Sequence, residues 1–225
     1  MIKQTFRGVA VAMFLFASFT LQAQNQLGQY EKGASYPGYA ITTAGDTIKG
    51  IFRITNKWDN QLRVMQYESN YSRTPSKIWK PEELKAYSIG DLYYESLPYG
   101  DIRKEKRHFV QRLQGGCINL YAFYQRKTDD PKEKRRIDPS IDQNFAGLQD
   151  ADLYKDYLGI KKGSDEITEF SSAFVMRYKK AMSEYTKDCP EVSEKIAKKE
   201  KGFNYFMHED VVKAYNECCA ATSGK

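Results

Sequence analysis

Tyr39-Ala40-Ile41-Thr42-Thr43-Ala44-Gly45-Asp46-Thr47-Ile48-Lys49-Gly50-Ile51-Phe52-Arg53-Ile54 decides the fold class. Two β-branched, aromatic-rich runs flank Ala44-Gly45-Asp46. Gly45 supplies a left-handed backbone position and Asp46 can bond the turn backbone, so the stretch predicts a hairpin. In its second strand Ile48, Phe52 and Ile54 fall on one face by period two. The same grammar repeats downstream. Leu62 to Tyr67 and Ser76 to Trp79 predict short strands. Leu84 to Ile89 and Leu92 to Leu97 flank Gly90-Asp91, a second hairpin. His108 to Leu113 and Ile118 to Tyr124 flank Gln114-Gly115-Gly116-Cys117, a third. Ile118, Leu120, Ala122 and Tyr124 oppose Asn119, Tyr121 and Phe123, so both faces are apolar and this strand belongs inside the sheet. Turns at such short intervals predict a mostly antiparallel sheet, an open barrel or a sandwich.

Arg126 to Ser140 interrupts the pattern with mixed charges and two prolines, Pro131 and Pro139. It reads as a solvated basic loop, with docking of an acidic polymer or a membrane surface as the functional alternative. Leu153 to Ile160 and Glu166 to Phe170 return to the sheet as a last hairpin. After Phe170 the period changes to 3.6. Phe170, Phe174, Tyr178, Ala181, Met182 and Tyr185 make one helical stripe. Pro190 opens a second helix from its first turn, with Val192 and Ile196 inward and Gly202 as its end. Met207, Val211, Ala214, Tyr215 and Cys218 mark a third. The fold class is therefore α+β: a mostly antiparallel β body with a C-terminal cap of about three helices.

The chain has four cysteines, Cys117, Cys189, Cys218 and Cys219. Cys189 and Cys218 share the apolar helical stripe, which predicts a bond between them. Cys219 points away by about 100° on the helix and either meets Cys117 on the sheet or stays free. Four buried thiols are the alternative. There is no Cys-x-x-Cys, and hence no support for thioredoxin-like chemistry.

Upstream of the hairpins, Met1 to Ala23 has the form of a secretory signal peptide. Lys3 and Arg7 are followed by the apolar Val9 to Phe19 and by Leu21-Gln22-Ala23 before Gln24. The apolar run falls short of the roughly 20 residues that span a bilayer, and no cysteine follows for lipid attachment. The predicted organisation is a signal peptide over 1–23, a flexible leader over 24–36, a β-rich domain over 37–169, a helical cap over 170–219 and a tail over 220–225. The mature chain is expected in a periplasm or outside the cell, with no transmembrane helix after cleavage.

Composition narrows the function classes. The formal charge is +6 and includes Lys3 and Arg7. With the charges interspersed, this mild excess does not suit nucleic acid as a partner. Tyrosine is unusually abundant, with 17 copies, which suits a half-buried sheet or a stacking surface for sugars and peptides. Catalytic patterns are missing. His208 is followed by Glu209 and Asp210, but position 212 is Val212, so the zinc motif His-Glu-x-x-His does not form. There is no Gly-x-Ser-x-Gly, and Gly115-Gly116 lacks the rest of a phosphate loop. A Cys117–His108 nucleophile pair is conceivable. So is a pair of carboxylates drawn from Asp46, Asp91, Glu95 and Asp101, but spacing alone cannot place them across a cleft. No cofactor and no metal site is expected.

Several short motifs carry a resemblance. Gly38-Tyr39 with Gly45-Asp46-Thr47-Ile48-Lys49-Gly50, Lys80-Pro81-Glu82-Glu83-Leu84, Gly116 before Leu120-Tyr121, Asp188-Cys189-Pro190 and Tyr215-Asn216-Glu217-Cys218 together resemble small exported proteins of Bacteroidetes-type bacteria. The resemblance implies export and a Cys189–Cys218 bond, and contributes no catalytic residue. The functional expectation is a non-enzymatic envelope protein that binds a protein or glycan partner through a tyrosine-rich sheet face, with Tyr93, Tyr94, Tyr121 and Tyr124 as the candidate surface. The rival is a carboxylate-dependent hydrolase acting on envelope glycans or peptides.

Overall fold

The computed structural model describes residues 30–99, 106–126, 153–170 and 177–223. The segment read as a signal peptide, most of the basic run, Asp101 and Phe174 lie outside them. Ten strands form one antiparallel sheet: β1 (Ser35–Thr42), β2 (Thr47–Arg53), β3 (Val64–Tyr67), β4 (Lys77–Trp79), β5 (Leu84–Ile89), β6 (Leu92–Leu97), β7 (His108–Gln114), β8 (Ile118–Arg126), β9 (Leu153–Lys161) and β10 (Thr168–Glu169). Their order is β10-β9-β8-β7-β6-β5-β1-β2-β3-β4. The sheet is open, with β4 and β10 at its edges, so it is one curled sheet rather than a sandwich. The four hairpins read from the sequence are present, and Gly45 turns the first with φ +103°.

One element departs from the sequence pattern. Leu62 does not start a strand; it ends α1 (Lys57–Leu62), and β3 begins at Val64. Asn56 caps α1 by accepting from the Asp59 N–H at 2.7 Å. This helix follows β2 directly, yet it packs on β7 and β8. On a flat sheet β2 and β7 would stand four strand spacings, about 19 Å, apart. The three residues between Arg53 and Lys57 cannot reach so far, so the sheet must curl around its inner face.

Register assigns the faces. Ala40, Tyr87, Tyr94, Gln111, Ala122 and Tyr157 form one cross-strand row. This row lies on the inner face, under α1 and the helical cap. Beneath α1 the core gathers Ala40, Phe52, Val64, Trp79, Leu84, Tyr87, Tyr94 and Phe109. Tyr87 stacks on Tyr94 at 4.6 Å and donates to the Asn60 carbonyl at 2.7 Å. Beneath the cap, Ile118 and Leu120 of β8 pack with Phe170, Met182, Val192, Ile196, Val211 and Tyr215. β8 is apolar on its other side too, where Tyr121 and Phe123 join Val110 and Leu158.

Among the described residues the cap shows three helices: α2 (Tyr178–Tyr185), α3 (Pro190–Lys198) and α4 (His208–Ser223). Of the helical stripe expected from Phe170, Phe174 lies outside the described residues, and Tyr178, Met182 and Tyr185 fall on α2. Phe170 follows β10, and its ring enters the cap core from the sheet side. Pro190 is in the first turn of α3, as its rigid φ favours. The end of α3 is Lys199, left-handed at φ 56°, and Gly202 sits in the turn beyond. Met207 is exposed rather than inward, because a short 3-10 turn (Tyr205–Met207) precedes α4. Within the stretch expected to be a leader, Tyr30 and Tyr36 pack edge to face at 4.9 Å on the inner core, and Tyr30 donates to Asp91. α4 runs on through positions expected to be a tail.

Two disulfides pin the cap. Cys189 and Cys218 join the α2–α3 connection to α4, with Cα atoms 6.3 Å apart. Cys117 and Cys219 join the β7–β8 turn to α4 at 6.4 Å. Adjacent cysteines on α4 thus face two different partners, as a 100° step allows. Asn216 reinforces the second junction. Its amide accepts from the Ile118 N–H at 2.7 Å and donates to the Ile118 carbonyl at 2.9 Å. Gly116 is required beside it, because a Cβ there would lie 2.5 Å from Asn216.

Candidate functional site

Period two separates the four tyrosines proposed as a binding surface. Tyr94 and Tyr124 point to the inner face and are buried in the core. Tyr121 points outward but is covered. Tyr93 alone is half-exposed. The four therefore do not form one open stacking surface, because adjacent residues of a strand face opposite ways.

The outer face carries a different constellation. Lys49, Tyr39, Ser88, Tyr93, Arg112 and Tyr121 are register partners in one row across β2, β1, β5, β6, β7 and β8. Tyr39 and Tyr93 are half-buried on either side of buried Ser88. Arg112 lays its guanidinium over the Tyr93 ring, 4.2 Å from the centroid. Glu95 fixes it: one carboxylate oxygen accepts from Arg112 at 2.8 Å and the other from the Tyr121 hydroxyl at 2.9 Å. The Arg112 side chain keeps 35% of its surface and Glu95 keeps 23%. Burial, followed by the charge of Glu95, raises the pKa of Tyr93, with Arg112 opposing. Its hydroxyl stays protonated and able to donate. The row thus presents aromatic surface, a planar cation and a carboxylate whose positions are set before any ligand arrives.

Other candidates resolve differently. Cys117 is disulfide-bonded and has no thiolate, which ends the Cys117–His108 nucleophile pair. His108 is buried, with Nδ1 2.5 Å from the Tyr99 carbonyl. Asp46 sits in the first hairpin turn and Asp91 meets Tyr30. Among the described residues, no group of three or more His, Cys, Asp or Glu side chains is placed to hold a metal ion. One pair of carboxylates was not legible in the sequence. Glu169 pairs with Leu158, and Asp156 lies two residues from Leu158 on the same outer face. Burial first, and Glu169 second, raise the pKa of Asp156, while Gln125 donates to it at 2.5 Å.

Comparison of the chain with models of protein families, with curated proteins and with solved structures finds no match in any of the three.

Proposed function

We propose that this is an exported, non-enzymatic cell-envelope protein that binds a glycan through the outer row around Tyr39, Tyr93 and Arg112. One observation carries the reading: Arg112 is stacked on Tyr93 and held by Glu95, yet part of each side chain remains open to solvent. Sugars offer apolar C–H faces to aromatic rings and hydroxyls to planar charged groups, and a prearranged set of both lowers the ordering cost of binding. Two disulfides fit an oxidising compartment and agree with the signal-like start of the chain.

The test is capture. Immobilised protein is exposed to the solubilised envelope fraction of its own cell, and retained material is analysed for glycan and for protein. Retention of glycan by the natural chain, reduced at least tenfold by Tyr93→Ala, supports the reading. Retention of a protein instead assigns a protein partner. No retention contradicts a binding role.

What supports the hydrolase reading is Asp156, a carboxyl whose pKa burial and Glu169 raise, as suits a general acid. Release of reducing sugars or peptides that is abolished by Asp156→Asn would favour it over binding alone.

A further inference from the structure

His208, the first residue of α4, is 3% exposed and sits inside a ring of aromatic side chains. Tyr205 lies 4.8 Å away, Tyr157 5.0 Å, Phe170 5.3 Å and Tyr178 5.7 Å, centroid to centroid. Phe170 stacks on the imidazole with an interplanar angle of 12°. Neither ring nitrogen has a hydrogen-bond partner among the described residues. A buried imidazole is almost always bonded through at least one nitrogen, so this placement is costly. It is tolerable only while the ring is neutral.

The charged and titratable neighbours come from every element around it. β9 contributes Lys155 and Tyr157, α2 contributes Tyr178, the 3-10 turn contributes Tyr205, and α4 itself contributes Glu209. Among the described residues, Glu209 is the carboxylate that acts on the ring, and it is engaged elsewhere. Its Oε1 accepts from Lys155 at 3.0 Å and from the Tyr157 hydroxyl at 2.9 Å. Burial raises the pKa of Tyr157 and Tyr178, so both remain neutral.

The two ends of α4 are held in different ways. Asn216, Cys218 and Cys219 fix its C-terminal half, two of them covalently. The N-terminal half has only noncovalent contacts: the His208 cage, the Glu209 pair, Val211 and Val212 in the core, and a hydrogen bond from Gln114 to the Glu209 carbonyl at 2.8 Å.

We propose that His208 is an acid-sensitive latch, and that its protonation unseats the N-terminal half of α4 so that the cap opens as a flap tethered to the sheet by Cys117–Cys219, while Cys189–Cys218 holds the cap together. The surface uncovered is the apolar inner face of β8 and β9, around Ile118, Leu120 and Tyr157.

Two effects compete over the sign. The rings attract a cation. Desolvation, then the nearby Lys155 ammonium, disfavour one, with Glu209 acting in the opposite direction, and the balance pushes the His208 pKa down to about 4. A group depressed in the closed form stabilises that form above its open-form pKa, near 6.5. The stabilisation fades as pH falls toward the closed-form value. Linkage between these values predicts an opening constant that rises about 20-fold between pH 7 and pH 5.

The test uses the full chain with both disulfides intact. The chain has only two histidines, so NMR titration of the imidazole resonances is direct, with His108→Gln for assignment. The expected His208 midpoint is near 4. Amide exchange in α2 and at the start of α4, corrected for intrinsic rates, should accelerate about 20-fold from pH 7 to 5, while β1 and β2 remain protected. His208→Phe should remove the acceleration. Three results would overturn the proposal: a midpoint at or above 6.5, equal loss of protection in β1 and β2, or an unchanged pH profile in His208→Phe. If that variant does not fold, the titration and the exchange pattern of the natural chain decide alone.

Discussion

The side-chain amide of Gln61 completes the backbone ladder of β8 at Tyr124. It donates to the Tyr124 carbonyl at 2.8 Å and accepts from the Tyr124 N–H at 2.5 Å. β7 pairs with β8 only from Leu120 to Ala122, so the backbone groups on that edge of β8 need other partners at both ends. Gln61 of α1 supplies them at one end, and Asn216 of α4 supplies them at the other, on Ile118. Two side-chain amides from distant parts of the chain thus dock α1 and the cap onto a single strand.

Gln61 is fully buried. Gln61→Ala leaves one donor and one acceptor of Tyr124 without partners and should cost about 2–5 kcal/mol. Lys180→Ala, exposed on α2, should change stability by less than about 0.5 kcal/mol. Urea melts of the two variants give the comparison, and equal midpoints would show that Gln61 does not complete the ladder.

The two disulfides close loops of different length, with sequence separations of 29 and 102. In the chain-entropy account the shorter is worth about 3.6 kcal/mol and the longer about 4.7 kcal/mol. Replacing Cys117 and Cys219 by Ser should therefore destabilise more than replacing Cys189 and Cys218. Denaturant midpoints in the reverse order would mean that the shorter bridge carries the cap.

Asp188 ties the sheet to the cap. Burial works against its carboxylate, but hydrogen bonds from Tyr215 at 2.6 Å and Lys161 at 3.0 Å outweigh burial and hold its pKa below the usual range. A depressed folded pKa gives stability that is present above the unfolded value, about 3.9, and is lost as pH falls through the folded one. Asp188→Asn should lower the melting temperature at pH 7, and the gap to the natural chain should narrow below about pH 4. A gap constant with pH would mean that the contact is not ionic.

The hairpins were legible because turn residues and period-two apolar positions agree, as at Gly45 with Ile48 and Phe52, or at Gly90 with Leu92 and Tyr94. The Cys189–Cys218 pair was read from a shared helical stripe; the bond is present, but Cys189 lies in the α2–α3 connection and not on a helix. α1 was not legible: Lys57-Trp58-Asp59-Asn60-Gln61-Leu62 has no apolar stripe, and its stability comes from distant contacts to Tyr87 and Tyr124. The insertion of β1 between β5 and β2 is equally nonlocal. Phe170 fits the helical spacing, yet it follows β10 directly and joins the core beneath the cap, a placement set by tertiary contacts and not by period. Tyr93 was visible in the sequence as a strand tyrosine, but the Arg112 and Glu95 that surround it are set by register across three strands, which no single segment reveals.

The central claim is that ligand contact is made on the outer row. It is tested most directly by NMR of the full, disulfide-bonded chain, following backbone amides as solubilised envelope glycan from its own cell is added. Shifts confined to β1, β5, β6 and β7 around Tyr39, Ser88, Tyr93 and Arg112, and lost in Arg112→Ala, are the predicted result. Shifts confined to α2, α3 and α4, or no shifts at saturating glycan, would contradict it.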